Sequence, residues 1–140
     1  MMSSPEEERY DELLELALNH ARHGETEELR LMLEHGLPVN LANHEGNSLL
    51  MLAAYNDHPK TVQMLLELEA EPDRRNDRGQ TPLGGVAFKG YLSIAKMLLD
   101  AGAEPLADQG MNMTPLSFAI TFGRTEIEKL LKKYISKGAA

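Results

Sequence analysis

The chain has 140 residues, which suits one domain with a buried core and leaves little room for a second, catalytic domain. It carries 22 acidic and 14 basic residues, a net charge of −8, so it repels the phosphate backbone that supplies most nucleic-acid affinity. It contains no cysteine, which excludes disulfides, cysteine-ligated metal centres and a thiol nucleophile, and which fits a reducing compartment.

The N-terminal segment has neither the basic region nor the apolar region of a signal peptide, and no apolar run approaches the ~18 residues of a membrane span. We therefore expect a cytoplasmic protein that binds neither nucleic acid nor a membrane. Ser4-Pro5-Glu6-Glu7 has the pattern of a capping box with proline at the first helical position. This pattern predicts a long first helix over roughly residues 5–22.

The chain then repeats itself with a period of 33 residues. Each unit has a polar turn, an apolar stretch, a glycine break and a second apolar stretch, which predicts turn, helix, turn and helix. The aligned columns are Gly24, Asp57, Gly90 and Gly123; Leu31, Met64, Met97 and Leu130; Met32, Leu65, Leu98 and Leu131; and Leu50, Leu83 and Leu116.

Thr81-Pro82-Leu83 and Thr114-Pro115-Leu116 each predict a helix start, since threonine caps the first amides and proline loses no hydrogen bond there. The second unit opens with Asn47-Ser48-Leu49-Leu50 and lacks the proline. Pro72 and Pro105 forbid helix and are predicted to lead into exposed hairpins.

With its Thr-Pro-Leu openings and the segment 97–103, Met-Leu-Leu-Asp-Ala-Gly-Ala, the repeat resembles the ankyrin repeat over roughly residues 6–136. The resemblance implies an all-α solenoid of four stacked repeats with hairpin or finger loops. Within a single domain over 1–140, we expect an N-terminal capping repeat at 5–39, repeats at 40–72 and 73–105, and a C-terminal capping repeat at 106–137. The histidine that usually follows Thr-Pro-Leu in this family is replaced here by Met51, Gly84 and Ser117. The sequence alone therefore does not indicate which residues brace the first helices against the loops.

The ends of such an array are expected to present polar outer faces. Lys132 and Lys133 follow Leu130-Leu131 where the internal repeats continue with Leu66 and Leu99, so we expect lysines to seal the C-terminal end.

Gly84-Gly85 lies inside a predicted helix, at a cost of roughly 0.5–1 kcal/mol per glycine relative to alanine. We interpret this pair as a weak point where the adjacent repeat packs closely.

No phosphate-binding loop, nucleophile elbow or helical metal motif is present, so we expect no enzymatic activity and no cofactor. His20 and His23 are spaced to share a helix face and so to hold a metal. His20 falls in the core column of Ala53, Val86 and Ala119, however, and His23 lies at an exposed helix end. We therefore expect no metal site.

In ankyrin proteins, partners are usually held by the loop tips and by the first helices lining the concave face, so the resemblance implies where a partner binds. The tips here are His44, Glu45 and Asn47, then Asp77, Arg78 and Gln80, then Gly110, Met111 and Met113; the helix positions are Tyr55, Asn56, Phe88, Lys89, Thr121 and Phe122.

Two features of these positions point to binding. Tyr55, Phe88 and Phe122 form a row of rigid aromatic residues, which are favoured anchors at interfaces; the alternative is that the rings cover gaps between helices. The basic cluster of Arg74, Arg75 and Arg78 suits carboxylates or phosphates. Met111 and Met113, in place of polar residues at the other tips, are expected to be exposed.

We therefore predict a monomeric, non-catalytic protein that binds a partner protein, one with an acidic segment, through the concave groove and the loop tips. Two alternatives remain open: a small enzyme inhibitor of the four-repeat kinase-inhibitor type, and an accessory protein that handles a metal or cofactor through its histidines.

Overall fold

A computed structural model describes residues 4–139 of the chain, with side chains described for residues 4–138. This part of the chain forms eight helices in four consecutive pairs and no strand. The helices are α1 Pro5–His23, α2 Thr26–Glu34, α3 Leu49–Tyr55, α4 Pro59–Glu67, α5 Pro82–Lys89, α6 Leu92–Asp100, α7 Pro115–Thr121 and α8 Thr125–Ala139.

The pairs stack in chain order. The first helix of each pair contacts the first helix of the next, and the second helices do the same. Only a few residues separate the two helices of a pair, and longer loops connect one pair to the next. The chain is thus an all-α solenoid of stacked helix pairs, as the sequence predicts.

Side-chain caps begin the first helices of the last three pairs where the sequence places them. The hydroxyl of Ser48 accepts from the N–H of Met51, that of Thr81 accepts from the N–H of Gly84, and that of Thr114 accepts from the N–H of Ser117. Ser48 performs this role without the proline that follows the other two caps. Ser4 likewise caps the N–H of Glu7, so the predicted long first helix is confirmed.

The loops between pairs end in tight turns that we call the finger loops, residues 42–48, 75–81 and 108–114. Each closes with a backbone bond across the turn, from Asn43 to Asn47, Asn76 to Gln80 and Gln109 to Met113. The predicted hairpins are therefore much reduced: the described residues show one isolated bridge, between Ala42 and Ser48, and no strand. The reason is that the chain turns into the next helix immediately after this single pair.

The core is continuous through the array, and its fully buried side chains follow the 33-residue columns. Leu65, Leu98 and Leu131 of one column and Leu50 and Leu83 of another are all buried. Because each helix buries one stripe against its pair and its neighbours, stability depends on stacking. These two columns are confirmed as core, with Met32 and Leu116 half-buried, whereas Leu31 of the third apolar column is exposed.

The two ends of the array differ. At the C-terminal end, Glu128 and Lys132 occupy the columns of buried Ala95 and Leu99 and form an ion pair of 2.8 Å. The N-terminal end has no such seal: Leu16 and Leu31 are exposed, although Leu49 and Met64 in the same columns are buried. The prediction of a polar outer face is thus wrong for these positions, which carry apolar side chains that no helix of the described residues covers.

Candidate partner-binding groove

A groove of about 600 Å³ lies between the finger loops and the first helices. One wall consists of finger-loop residues, and the other consists of α3, α5, the C-terminal end of α7 and the residue that follows it. Among the residues predicted at the loop tips and helix positions, ten line this groove. They are His44, Glu45, Asn47, Tyr55, Asn56, Asp77, Arg78, Gln80, Phe88 and Phe122.

Aromatic rings form the helix side of the groove. Tyr55 is 41% exposed, Phe88 is 38% exposed and Phe122 is 45% exposed. Phe88 and Phe122 meet edge to face with their ring centroids 4.7 Å apart, and Phe118 lies 6.3 Å from Phe122. The phenylalanine rings therefore pack on one another while Tyr55, Phe88 and Phe122 all stay partly exposed in the groove, and their role as anchors stays a prediction.

Hydrogen bonds hold the finger loops of the first two tips in place. The side-chain oxygen of Asn43 accepts two N–H groups of its own loop, and that of Asn76 does the same in the next loop. The two loops are joined because Asn76 donates to the side chain of Asn47 and the N–H of Asp77 donates to the carbonyl of Glu45. This wall of the groove is thus ordered before any partner binds, which lowers the entropy cost of binding.

The basic cluster separates into three different environments. Arg74 pairs with Glu71 at 3.7 Å, outside the groove. Arg75 donates to the backbone carbonyls of Gly79 and Asp108, and so joins the second finger loop to the third. Arg78 lines the groove, and its guanidinium contacts no carboxylate among the described residues. Of the three guanidiniums, Arg78 is the one placed to meet a partner.

The remaining predicted residues lie at the margins. Met111 is 96% exposed at the third tip, as expected. Met113 is half-buried, with its sulfur 3.8 Å from the hydroxyl of Ser117, so the expectation of exposure is wrong for this residue. Lys89 is half-buried, and its ammonium lies 4.9 Å from the ring centroid of Tyr55.

Gln109 is a residue whose importance the sequence did not reveal. Its buried side chain extends from the third finger loop to the start of α5, where its oxygen accepts from the N–H of Thr81 at 2.8 Å and its nitrogen donates to the Thr81 hydroxyl. This side chain takes up the space above Gly84, while the ring of Tyr55 covers Gly85. The close approach inferred for the glycine pair is confirmed, and Gln109 supplies loop bracing in the third repeat.

Within the described residues, no group of three or more acidic, histidine or cysteine side chains is arranged to hold a metal ion. His20 contacts the carboxylate of Glu25 at 3.0 Å and is half-buried rather than fully in the core. Burial raises the pKa of Asp73, and hydrogen bonds from Tyr134 and Lys96 lower the pKa of Asp100; both carboxyl groups lie outside the groove. No helix of the described chain is long and apolar enough to cross a membrane.

Comparison with known proteins agrees with this architecture. Residues 8–76 match the family model described as ankyrin repeats (3 copies), and residues 56–99 match that described as ankyrin repeats (many copies). The chain belongs to the ankyrin repeat family. Ankyrin repeats in general mediate interactions between proteins, and the family is typically non-enzymatic.

A curated Pseudomonas aeruginosa protein named for its ankyrin repeats is 52% identical to the chain over 44 residues. The match covers 31% of this chain and 26% of that protein, so the similarity extends over about a quarter of the relative's length.

Proposed function

We propose that this protein is a non-catalytic interaction module that binds a segment of a partner protein in the groove between the finger loops and the first helices. The observation that carries the proposal is the row of Tyr55, Phe88 and Phe122, each from a successive repeat, exposed along one groove. Large aromatic side chains that stay partly exposed in the free protein are the residues most often found as anchors at interfaces.

The groove offers two kinds of contact to such a segment. Its helix side is apolar and aromatic, which suits apolar side chains of the partner. Its finger side carries polar groups, with the unpaired guanidinium of Arg78 available to a carboxylate. We therefore propose a partner segment that combines apolar residues with an acidic one, and Arg78 takes over the role that the sequence assigns jointly to Arg75 and Arg78.

The proposal treats the chain as one domain of four repeats, at residues 5–39, 40–72, 73–105 and 106–137, that acts as a monomer in the cytoplasm. The stacking of each helix pair on the next supports a single domain. The absence of cysteine from the sequence supports the location, because disulfides are rare in that compartment.

The experiment is a quantitative pull-down followed by affinity measurement on the partner recovered. Tyr55→Ala combined with Phe88→Ala is expected to weaken binding by about 2–4 kcal/mol, the range of hot-spot truncations. Gln63→Ala combined with Lys96→Ala is the matched control, because both side chains are exposed on second helices outside the groove. Circular dichroism of each variant checks that the array stays folded.

The proposal fails if the aromatic double variant is folded and binds with unchanged affinity. It also fails if the control pair removes binding, since the partner then contacts the second helices.

A further inference from the structure

The N-terminal end of the array exposes apolar side chains on a surface separate from the groove. We call it the end face and define it by Tyr10, Leu13 and Leu16 of α1 and Glu28 and Leu31 of α2. The four apolar residues are 48%, 42%, 47% and 56% exposed in that order. Tyr10, Leu13 and Leu31 line a cleft of about 560 Å³ together with Met32 and the turn of residues 35–38, which includes His35.

The 33-residue columns indicate what kind of structure this face accepts. Leu49 and Met64 occupy the columns of Leu16 and Leu31 one repeat later, and both are fully or almost fully buried. The preceding helices α1 and α2 pack against α3 and α4 in that repeat. The end face thus has the surface that receives helices elsewhere in the array, and none of the described helices covers it.

Glu28 gives the face its chemical specificity. Its column contains Thr61, Ile94 and Ile127, and all three are buried. Glu28 is exposed, and its carboxylate forms no ion pair with any described side chain. A helix that covered the face would bury this carboxylate, and burial of an unpaired charge is costly. The occupant therefore needs a cation opposite Glu28.

The surroundings of the face are acidic as well. Glu34 lies one helical turn after Leu31 and has no ion-pair partner among the described residues. Glu27 lies one turn before Leu31, and its carboxylate is 3.4 Å from the guanidinium of Arg30. Residues 1–72 hold 15 acidic and 4 basic residues. Acidic surroundings of an apolar surface attract a basic partner and raise its association rate.

We propose that the end face is a second docking site, which binds a basic amphipathic helix of a partner protein. The helix places its apolar stripe on Tyr10, Leu13 and Leu31, and a lysine or arginine within that stripe pairs with Glu28. Further basic residues along its flanks meet Glu27 and Glu34. A second copy of this chain is a poor occupant at its N-terminal end, because the two acidic faces would repel each other.

The test uses a labelled synthetic peptide of about 18 residues, built from leucine and lysine as an amphipathic helix. A second peptide, with glutamate in place of every lysine, is the comparison probe. Fluorescence anisotropy measures binding to the full chain. Leu13→Ser combined with Leu31→Ser is expected to weaken binding of the lysine peptide about tenfold or more, with no change in protein charge. Glu28→Gln is expected to weaken it about threefold and to reduce its dependence on salt.

Leu92→Ser is the matched control, since it removes an exposed apolar side chain that lies outside both the end face and the groove, and it is expected to leave peptide binding unchanged. The proposal is overturned if the lysine peptide does not bind, if the serine variant binds it as the wild type does, or if the glutamate peptide binds equally well. It is also overturned if sedimentation shows a wild-type dimer that the serine variant converts to a monomer. Binding that follows the predicted order of variants supports it.

Discussion

The side-chain amide of Gln109 lies directly over the backbone of Gly84, and a Cβ at residue 84 would overlap the amide oxygen and carbon of Gln109. That oxygen accepts from the N–H of Thr81, and the amide nitrogen donates to the Thr81 hydroxyl and to the carbonyl of Ala107. One side chain thus connects the third finger loop to the start of α5, and glycine at residue 84 provides the space that it needs.

Gly84→Ala is expected to destabilise the protein by about 1–3 kcal/mol, because the new methyl group displaces Gln109. This loss exceeds the gain of up to about 1 kcal/mol that alanine gives in a helix. Gly138→Ala, in α8, is the control, since a Cβ added at this residue would have no neighbouring atom within 4 Å outside its own stretch of helix backbone. The measurement is urea denaturation of both variants. A stabilised Gly84→Ala protein would show that Gln109 moves aside without cost.

The same pair predicts a coupling between two substitutions. Gln109→Ala alone is expected to cost about 1–3 kcal/mol, because it leaves the N–H of Thr81 without its acceptor. In the Gln109→Ala background, Gly84→Ala is expected to cost much less than it does alone, since the group it displaces is gone. Denaturation of the four proteins measures the difference. Additive effects would mean that the two residues act independently.

Much of this architecture follows from the sequence, because the 33-residue period, the capping residues and the apolar columns are local patterns. Tyr55 and Phe88 could also be placed, since they share one column, and Phe122 stands one residue beyond the next position of that column. The roles of Gln109 and Arg75 could not, because they depend on side-chain paths between repeats. One signal was available: Gln109 stands in the column of Asn43 and Asn76, and the oxygen of its longer side chain accepts from the neighbouring repeat, whereas the asparagine oxygens accept from their own loops.

The exposed N-terminal end face was missed for a different reason. A column of apolar residues indicates burial only where a neighbouring repeat packs on it, and no repeat within residues 4–139 packs on Leu16 and Leu31. The polar pattern that seals the other end, Glu128 with Lys132, has no counterpart at these two positions.

Leu98→Ala tests the continuous core. Leu98 is fully buried in α6, and its truncation is expected to cost about 2–5 kcal/mol through lost burial and a cavity. Leu92→Ala is the matched control on the same helix, where the side chain is largely exposed, and is expected to change stability by less than about 1 kcal/mol. Equal effects of the two substitutions would contradict the packing.

Asp73 predicts a dependence of stability on pH. Burial raises the pKa of Asp73, and this effect outweighs the N–H of Glu104, which donates to the carboxylate and lowers the pKa. The folded protein therefore binds the proton more tightly than the unfolded chain does. Stability falls as the pH rises from the unfolded pKa of about 3.9 through the folded pKa, and the loss is complete at neutral pH.

Asp73→Asn is accordingly expected to raise the melting temperature at neutral pH, with little difference below about pH 3. The amide still accepts from the N–H of Glu104, as the oxygen of Asn40 accepts from the N–H of Glu71 one repeat earlier. Asn40→Asp is the reciprocal change and is expected to lower the melting temperature at neutral pH. Thermal unfolding across this pH range checks both. A lower melting temperature for Asp73→Asn at neutral pH would contradict the assignment.

Arg78→Glu tests the electrostatic part of the groove. The guanidinium faces the groove without an internal partner, so charge reversal is expected to slow association with the partner about tenfold and to flatten its salt dependence. Lys133→Glu makes the same change in net charge outside the groove and is expected to have a small effect. Association rates at two salt concentrations separate the two variants. Equal slowing by both would assign the effect to net charge.

The central claim is that the partner lies in the groove, and site-specific photo-crosslinking tests it most directly. A photoreactive residue replaces Asn56, which is exposed in the groove, or Gln63, which is exposed on the second helix of the same pair. The recovered partner is then irradiated with each protein. We expect a crosslink from residue 56 and none from residue 63, and the reverse result would contradict the assignment of the groove.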